Sequence, residues 1–399
     1  MISVDEAQAL IRGHLPGDRQ WETVTLNRCI GRVLAQDVWA DRDQPPFDRV
    51  AMDGAAFTWD DLEKKLEIYP VEGLQKAGDP VMAKTGSGTS LEVATGAVMP
   101  QGWDTVVPYE DLMKTTQGFS LKFRKPPKPG QNIHFQGSDY KAGDRLLPPG
   151  THLGTGHIHI LATVGMVQVP VWKQAIFSLA STGDELVEPS AQPEAHQIRR
   201  SNTPAMEAEA LTWGLVPEAC FHLPDKKGPL AEGISRMLET SDVVVLTGGV
   251  SQGAFDLIPE VLSSLGCREV FHQVAQKPGK PLWFGVGPRG QLVFGLPGNP
   301  VSSLFSFRRY VIPALLAWEG RSLRVRQEVV RGLYSGRSGG THFLPVQWGD
   351  QGLELLPAAG SGNFFHLADS DGFVEVREDF NPGILPQVPF YSWGLRKEG

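Results

Sequence analysis

Three glycine- and proline-rich turns lie close together in this chain, and each follows or leads into an apolar run. They read Thr247-Gly248-Gly249-Val250-Ser251-Gln252-Gly253-Ala254-Phe255-Asp256, then Lys277-Pro278-Gly279-Lys280-Pro281, then Gly295-Leu296-Pro297-Gly298-Asn299-Pro300. Loops of this kind present backbone N–H groups, fixed dipoles and a few charges to an anionic ligand. Two lysines and an aspartate in that setting suggest phosphate or oxyanion chemistry, with or without a metal. Glycine alone is weak evidence, because any tight turn needs it. Asp256 stands before an apolar helical run from Leu257. Helix capping and direct action on a phosphate or metal both suit it.

The carboxylates nearby admit more than one reading. Ser181-Thr182-Gly183 leads into Asp184-Glu185. A carboxylate pair at a strand end suits a divalent cation, the polar edge of a purine-like ring, or merely a solvated turn. Asp225, within Leu223-Pro224-Asp225-Lys226-Lys227, reads by itself as turn chemistry. His152, His157 and His159 do not make a metal site, since on a helix the last two point about 200° apart. Cys29, Cys220 and Cys267 are odd in number, far apart and without a CxxC spacing. That excludes a disulfide scaffold and structural zinc, and leaves thiols of a reducing compartment.

The elements that must carry these turns follow from periodicity. Ser3 and Glu6 form a capping box ahead of Val4, Ala7, Leu10 and Ile11, which predicts an amphipathic N-terminal helix. A second helix is expected over Asn27 to Ala35. From about 45 to 140 the chain is punctuated by Gly and Pro and carries short alternating runs, such as Phe119-Leu121, which predicts β structure. Residues 151–165 look helical, ending at Gly165. From about 174 to 317 strands alternate with helices: Ala175-Ala180, a helix capped by Thr203 with Pro204 at its first position, and an amphipathic helix bearing Leu230, Ile234, Met237 and Leu238. Then come Val243-Leu246, Leu292-Leu296 and a helix from Pro300. That alternation predicts an α/β layer on a largely parallel sheet, whose ligands sit beyond the carboxyl ends of the strands. From 321 onward, short strands and turns predict a small β-barrel.

At 399 residues two to four domains are expected. The 41% hydrophobic and 21% charged fractions are those of a soluble globular protein. A net charge of −8 argues against nucleic acid as a partner, so an anionic ligand must be held locally. No signal-peptide pattern and no membrane-spanning apolar run is present, so a cytoplasmic location is expected.

With further motifs in order, the chain resembles the molybdopterin molybdenumtransferases, the MoeA-type proteins that include the gephyrin E domain. The motifs are Pro45-Pro46-Phe47-Asp48-Arg49-Val50-Ala51-Met52-Asp53-Gly54, Ala94-Thr95-Gly96-Ala97-Val98-Met99-Pro100, Gly137-Ser138-Asp139, Ser181-Thr182-Gly183-Asp184-Glu185-Leu186 and the three loops above. The resemblance implies a multidomain α/β plus β fold. Its parts would be an N-terminal helical linker domain (1–44 with 141–170), a β-rich lid domain (45–140), a three-layer α/β molybdopterin-binding domain (171–318) and a C-terminal β-barrel (319–399). It implies insertion of molybdate into adenylylated molybdopterin with release of AMP, Mg2+ or another divalent cation, and a homodimer. A molybdopterin adenylyltransferase and molybdoenzyme apoproteins would be its partners.

By the same resemblance Asp53, Thr95, Asp139, Glu185, Asp225 and Asp256 are catalytic, and Glu185, Asp225 and Asp256 hold the metal. Gly248, Gly249, Ser251, Lys277, Lys280, Pro297, Pro300 and Ser302 bind the cofactor precursor. The chain departs from the family's pattern at Arg49-Val50, at Lys226, where a second Asp is usual, and at Gln273, where a basic residue is usual. A diverged paralogue that binds pterin or acts as a scaffold, or another enzyme of the molybdopterin-binding fold, is the competing expectation.

Overall fold

The computed structural model describes residues 1–122, 127–250, 257–334, 340–357, 363–377 and 383–394. Two compact units emerge. One comprises Met1–Val24, Gly31–Ala35 and the chain from Pro170 onward, and the other comprises Thr25–Ile30 and Gln36–Val169.

The first unit begins with α1 (Val4–Gly13). Its capping box forms as expected: Glu6 N–H donates to Ser3 Oγ at 3.2 Å, and Ser3 N–H donates to Glu6 Oε2 at 2.7 Å. The apolar stripe Val4, Ala7 and Ile11 is buried against the unit's core. The expected helix over Asn27 to Ala35 does not form. Leu26–Arg28 makes a single 3-10 turn, and Gly31 at φ 75° ends the helical path. Val33 and Leu34 are instead buried, with Leu34 bridging Val171 in extended pairing. The apolar spacing there reflects pairing rather than a helical face.

The second unit is β-rich. β1 (Gly54–Phe57), β2 (Val71–Gln75), β3 (Ser90–Val93) and β4 (Thr105–Pro108) form a sheet in the order β2-β3-β1-β4. β1 is buried on both faces, because Ala55 and Ala56 are small and Gly54 leaves no room for a Cβ against the Val107 carbonyl. α2 (Thr155–Thr163) closes this unit, starting four residues later than the expected start at 151.

The sheet of the first unit has six strands. They are β5 (Phe177–Thr182), β6 (Ala219–Leu223), β7 (Val243–Thr247), β8 (Arg268–His272), β10 (Trp283–Val286) and β11 (Leu292–Leu296), in the order β6-β5-β7-β11-β10-β8. The strand between β8 and β10 in sequence, β9 (Gln276–Lys277), pairs elsewhere. β6, β5, β7 and β11 are parallel, and β10 is antiparallel to both its neighbours. Every residue of β7 and β11 is buried, as sheets covered on both faces require.

Helices α3 (Asn202–Thr212), α4 (Lys227–Thr240), α5 (Ile258–Ser264) and α6 (Pro300–Ser306) alternate with the strands. α6 continues through a π-helical turn, Phe307–Val311, into α7 (Ile312–Trp318). Helix α3 begins at Asn202 with Ser201 at its N-cap position, so Thr203 lies inside the first turn rather than capping it. Its hydroxyl is buried and bonded to Ser181 Oγ at 3.1 Å. Helix α5 begins one residue later than expected, at Ile258.

The C-terminal region is a closed five-stranded barrel. Its strands are β12 (Arg326–Tyr334), β13 (Thr341–Gly349), β14 (Gly352–Leu355), β15 (Gly372–Val376) and β16 (Gly383–Ser392). The order β13-β14-β12-β16-β15 closes through a β13–β15 pairing, and β9 adds to the edge of β13. Val330, Val346, Leu353, Val374, Val376 and Val388 fill the interior. The π turn carries Arg308 and Arg309, both 2% exposed. Arg308 pairs with Glu209 at 3.1 Å, and Arg309 pairs with Glu375 of β15 at 2.7 Å. The barrel is therefore joined to the α/β layer through desolvated, paired charge as well as apolar packing.

Candidate active site

Strand register gathers the sequence-predicted loops of the first unit. Thr182 pairs with Leu223, Ser181 with Thr247, and Thr247 with Leu296, so the turns after β5, β6, β7 and β11 leave one edge. Trp283 pairs with Gly295 and with His272. The connection carrying Lys277 and Lys280 thus leaves the same edge, although β10 runs backwards. Ligands of open α/β sheets bind beyond this edge.

The glycine loop and the proline loop are cross-linked. Thr247, 2% exposed, donates its hydroxyl to the Pro297 carbonyl at 3.0 Å and lies 3.0 Å from Ser303 Oγ. Asn202, at the start of α3, donates from Nδ2 to Thr247 Oγ1 at 3.0 Å and to the Gly298 carbonyl at 2.8 Å. One amide therefore spans both turns. Gly248 adopts φ 100°, and a Cβ there would lie 2.7 Å from Thr182 Oγ1 and 2.8 Å from the Thr182 carbonyl oxygen. Only glycine fits that place. Gly249, at φ 58°, extends the turn. Pro297 and Ser302 are buried, and Pro300 opens α6 behind Asn299 at the N-cap position. Ser251 and Asp256 lie outside the described residues.

The lysine loop is closed at its neck. Val274 and Leu282 both donate backbone N–H groups to the Lys280 carbonyl at 3.0 Å. Lys277 and Lys280 are exposed at its two ends, while Gly279 between them is buried. That pattern leaves two exposed cations on a hydrogen-bonded backbone.

The carboxylates come from neighbouring strands. Asp184, Glu185 and Asp225 are all exposed, and Asp184 Oδ1 accepts the Asp225 N–H at 3.2 Å. His222 Nε2 lies 2.8 Å from the Gly183 carbonyl, tying the two turns again. The Glu185 carboxylate folds back over Gly183, where a Cβ would meet Oε2 at 2.6 Å. Among the described residues, no group of three or more His, Cys, Asp or Glu side chains is gathered for a metal.

In the β-rich unit, Asp53 Oδ1 accepts the Thr95 N–H at 2.6 Å. That bond holds the exposed carboxyl below its ordinary range. Asp139 belongs to a separate hydrogen-bonded chain, in which Oδ1 lies 2.8 Å from His134 Nε2, and His134 Nδ1 lies 3.0 Å from Arg49 Nη2. Sequence reasoning missed Asn202, His222 and His134. Asn202 was discoverable as a polar residue at a helix start, but its two acceptors are 45 and 96 residues away.

The chain is similar to known proteins over nearly its whole length. The family described as MoeA N-terminal region (domain I and II) matches residues 2–165, and the one described as probable molybdopterin binding domain matches residues 178–317. A molybdopterin molybdenumtransferase of Synechocystis is 35% identical over 98% of this chain and 100% of its own length. One from Haemophilus influenzae is 33% identical over 80% of this chain and 78% of its own. The solved molybdopterin biosynthesis MoeA protein of Pyrococcus horikoshii is 29% identical, covers 98% of this chain and 99% of its own, and superposes with a TM-score of 0.80. Sequence likeness along the whole chain and likeness of fold thus point the same way, and this chain belongs to the molybdopterin molybdenumtransferase (MoeA) family.

Proposed function

We propose that this protein acts in molybdenum cofactor biosynthesis by inserting molybdate into adenylylated molybdopterin with release of AMP. The observation that carries the reading is the cross-linked edge itself, where the glycine, lysine and proline loops and the Glu185 and Asp225 turns converge in a member of this family. Lys277, Lys280 and the backbone of the Gly248-Gly249 turn hold the oxyanions of molybdate and of the phosphoanhydride. Water, or a molybdate oxygen whose Mo–O–P linkage water then hydrolyses, attacks phosphorus, the P–O bond between the pterin phosphate and AMP breaks, and AMP leaves. The two dithiolene thiols of the pterin bond molybdenum while one oxo group departs as water with their protons. Catalysis is then chiefly positioning and neutralisation of charge. Ser302 and Pro300 shape the same edge. Asp53, Thr95 and Asp139 of the β-rich unit complete the set of catalytic residues in this reading.

Glu185 and Asp225 are hard oxygen donors on the turns that follow adjacent parallel strands, a pair suited to Mg2+, with Asp256 as the third carboxylate. A bound divalent cation supplies the positive charge that lets carboxylates and phosphates share one site. The reading includes a homodimer of four-domain subunits in the cytoplasm, served by a molybdopterin adenylyltransferase and serving molybdoenzyme apoproteins. Among the described residues no helix is long and apolar enough to cross a membrane. The test is AMP release from adenylylated molybdopterin with molybdate and the divalent cation omitted in turn. Release that requires both supports the reading. Equal release without any divalent cation removes the metal, and no release under any condition favours a pterin-binding scaffold.

A further inference from the structure

Gln276 immediately precedes the lysine loop, yet its side chain points into the protein. It is 2% exposed, and Tyr310 of the π turn is 2% exposed beside it. Tyr310 donates its phenol hydrogen to Gln276 Oε1. Gln276 Nε2 in turn donates to the Gly279 carbonyl at 3.0 Å and to Ser306 Oγ at 3.3 Å. The Gly279 carbonyl can only accept, which places the amide nitrogen on its side and leaves Oε1 for the phenol. Burial pushes the Tyr310 phenol upward, so it remains a donor. Gly279 has φ 93°, and a Cβ there would lie 2.8 Å from Gln276 Nε2 and 2.9 Å from Ser306 Oγ. The amide thus sits where only a glycine loop leaves room for it.

We propose that Gln276 and Tyr310 are the positioning residues of the oxyanion loop: they anchor the Gly279 carbonyl to the π turn and so set where Lys277 and Lys280 stand. The inference rests on the proposed role of that loop and adds the device that holds it. The buried amide makes three hydrogen bonds, two to Tyr310 and Ser306 that fix it to the π turn and the end of α6, and one to the Gly279 carbonyl that would be lost on an outward movement of the loop. A buried polar group left unpaired is costly, whereas replacing both partners by apolar groups of similar shape is close to neutral for stability. Those two rules separate positioning from packing.

The experiment compares wild type, Tyr310→Phe and the double variant Gln276→Met with Tyr310→Phe. Three readouts are taken: melting temperature, hydrogen exchange of residues 273–282, and calorimetric titration with molybdate alone. Tyr310→Phe should lower the melting temperature and weaken molybdate binding about tenfold, the worth of about one well-formed buried hydrogen bond. The double variant removes the stranded Gln276 Oε1 but leaves the Gly279 carbonyl and Ser306 Oγ without the amide, so it should regain only part of the melting temperature while its loop still exchanges faster and its molybdate affinity remains about tenfold down. A double variant that binds molybdate as tightly as wild type, with a protected loop, overturns the inference. Should wild type bind no molybdate, the proposed function loses support and hydrogen exchange alone decides. A loop that stays exposed to exchange in the double variant, after part of the stability returns, upholds the anchoring, and a protected loop refutes it.

Discussion

Replacing Asn202 by Ala should weaken substrate binding by about as much as it weakens the fold. The amide makes two hydrogen bonds, to Thr247 Oγ1 at 3.0 Å and to the Gly298 carbonyl at 2.8 Å. A net worth of about 0.5–1.5 kcal/mol each puts the joint loss at about 1–3 kcal/mol. Thr247 keeps its contacts with Pro297 and Ser303, and exposed Gly298 can turn its carbonyl to water. The loss of stability therefore falls near the bottom of that range, about 1 kcal/mol, or about 2–4 °C in melting temperature for a unit of this size. The loops, however, lose the bond that spans them. If they must be set before the anion arrives, the same energy appears in KM, at about tenfold per 1.4 kcal/mol.

The assay is AMP release over a range of adenylylated molybdopterin at saturating molybdate. We expect KM to rise about five- to tenfold with kcat changed less. Asn202→Asp, which removes both donors and adds a charge opposed to the ligand, should be worse by about another tenfold. A KM within twofold of wild type for both variants, with the melting temperature lowered as calculated, would refute the cross-link argument.

Three other perturbations test separate parts of the molecule. Glu375→Leu strands the buried Arg309 charge, 2.7 Å away in the native protein, and should cost about 3–5 kcal/mol in urea unfolding, while Glu375→Leu with Arg309→Met should recover most of it. Gly248→Ala forces a side chain to within 2.7 Å of Thr182 Oγ1 at φ 100°. A strain of about 1–2 kcal/mol and a displaced loop should lower kcat/KM at least about tenfold, measured by AMP release. Asp61 supplies the pH test: burial opposes its charge, but Lys84, Thr58, Lys64 and the Gly88 N–H outweigh burial and hold its carboxyl well below the ordinary range. Because the folded value is depressed, its contribution is complete above about pH 4 and is lost as pH falls below that. Asp61→Asn should therefore unfold in urea with a shallower pH dependence between about pH 5 and pH 3 than wild type.

Much of the fold was legible from local pattern. The Ser3-Glu6 box is a contact three residues apart, so the sequence contains all of it. The continuous apolar runs of Val243–Thr247 and Leu292–Leu296 mark covered strands for the same reason, since burial on both faces leaves no polar position to hide. Asn27 to Ala35 shows where local reading fails. Val33 and Leu34 are apolar because a strand 137 residues further on pairs with Leu34 and buries it, and no window around them contains that partner.

At the site, the sequence by itself determined which turns must be backbone-tight and which charges they carry. Gly248, Gly279 and the two lysines are visible as residue types, because backbone conformation restricts what can occupy those positions. Tertiary structure decided what holds those turns in place. Asn202 reaches Thr247 and Gly298, and Gln276 reaches Tyr310, across 45, 96 and 34 residues. Each is an ordinary polar residue in sequence. Its importance arises only when parallel register brings distant strand ends to one edge and burial makes each missing partner costly.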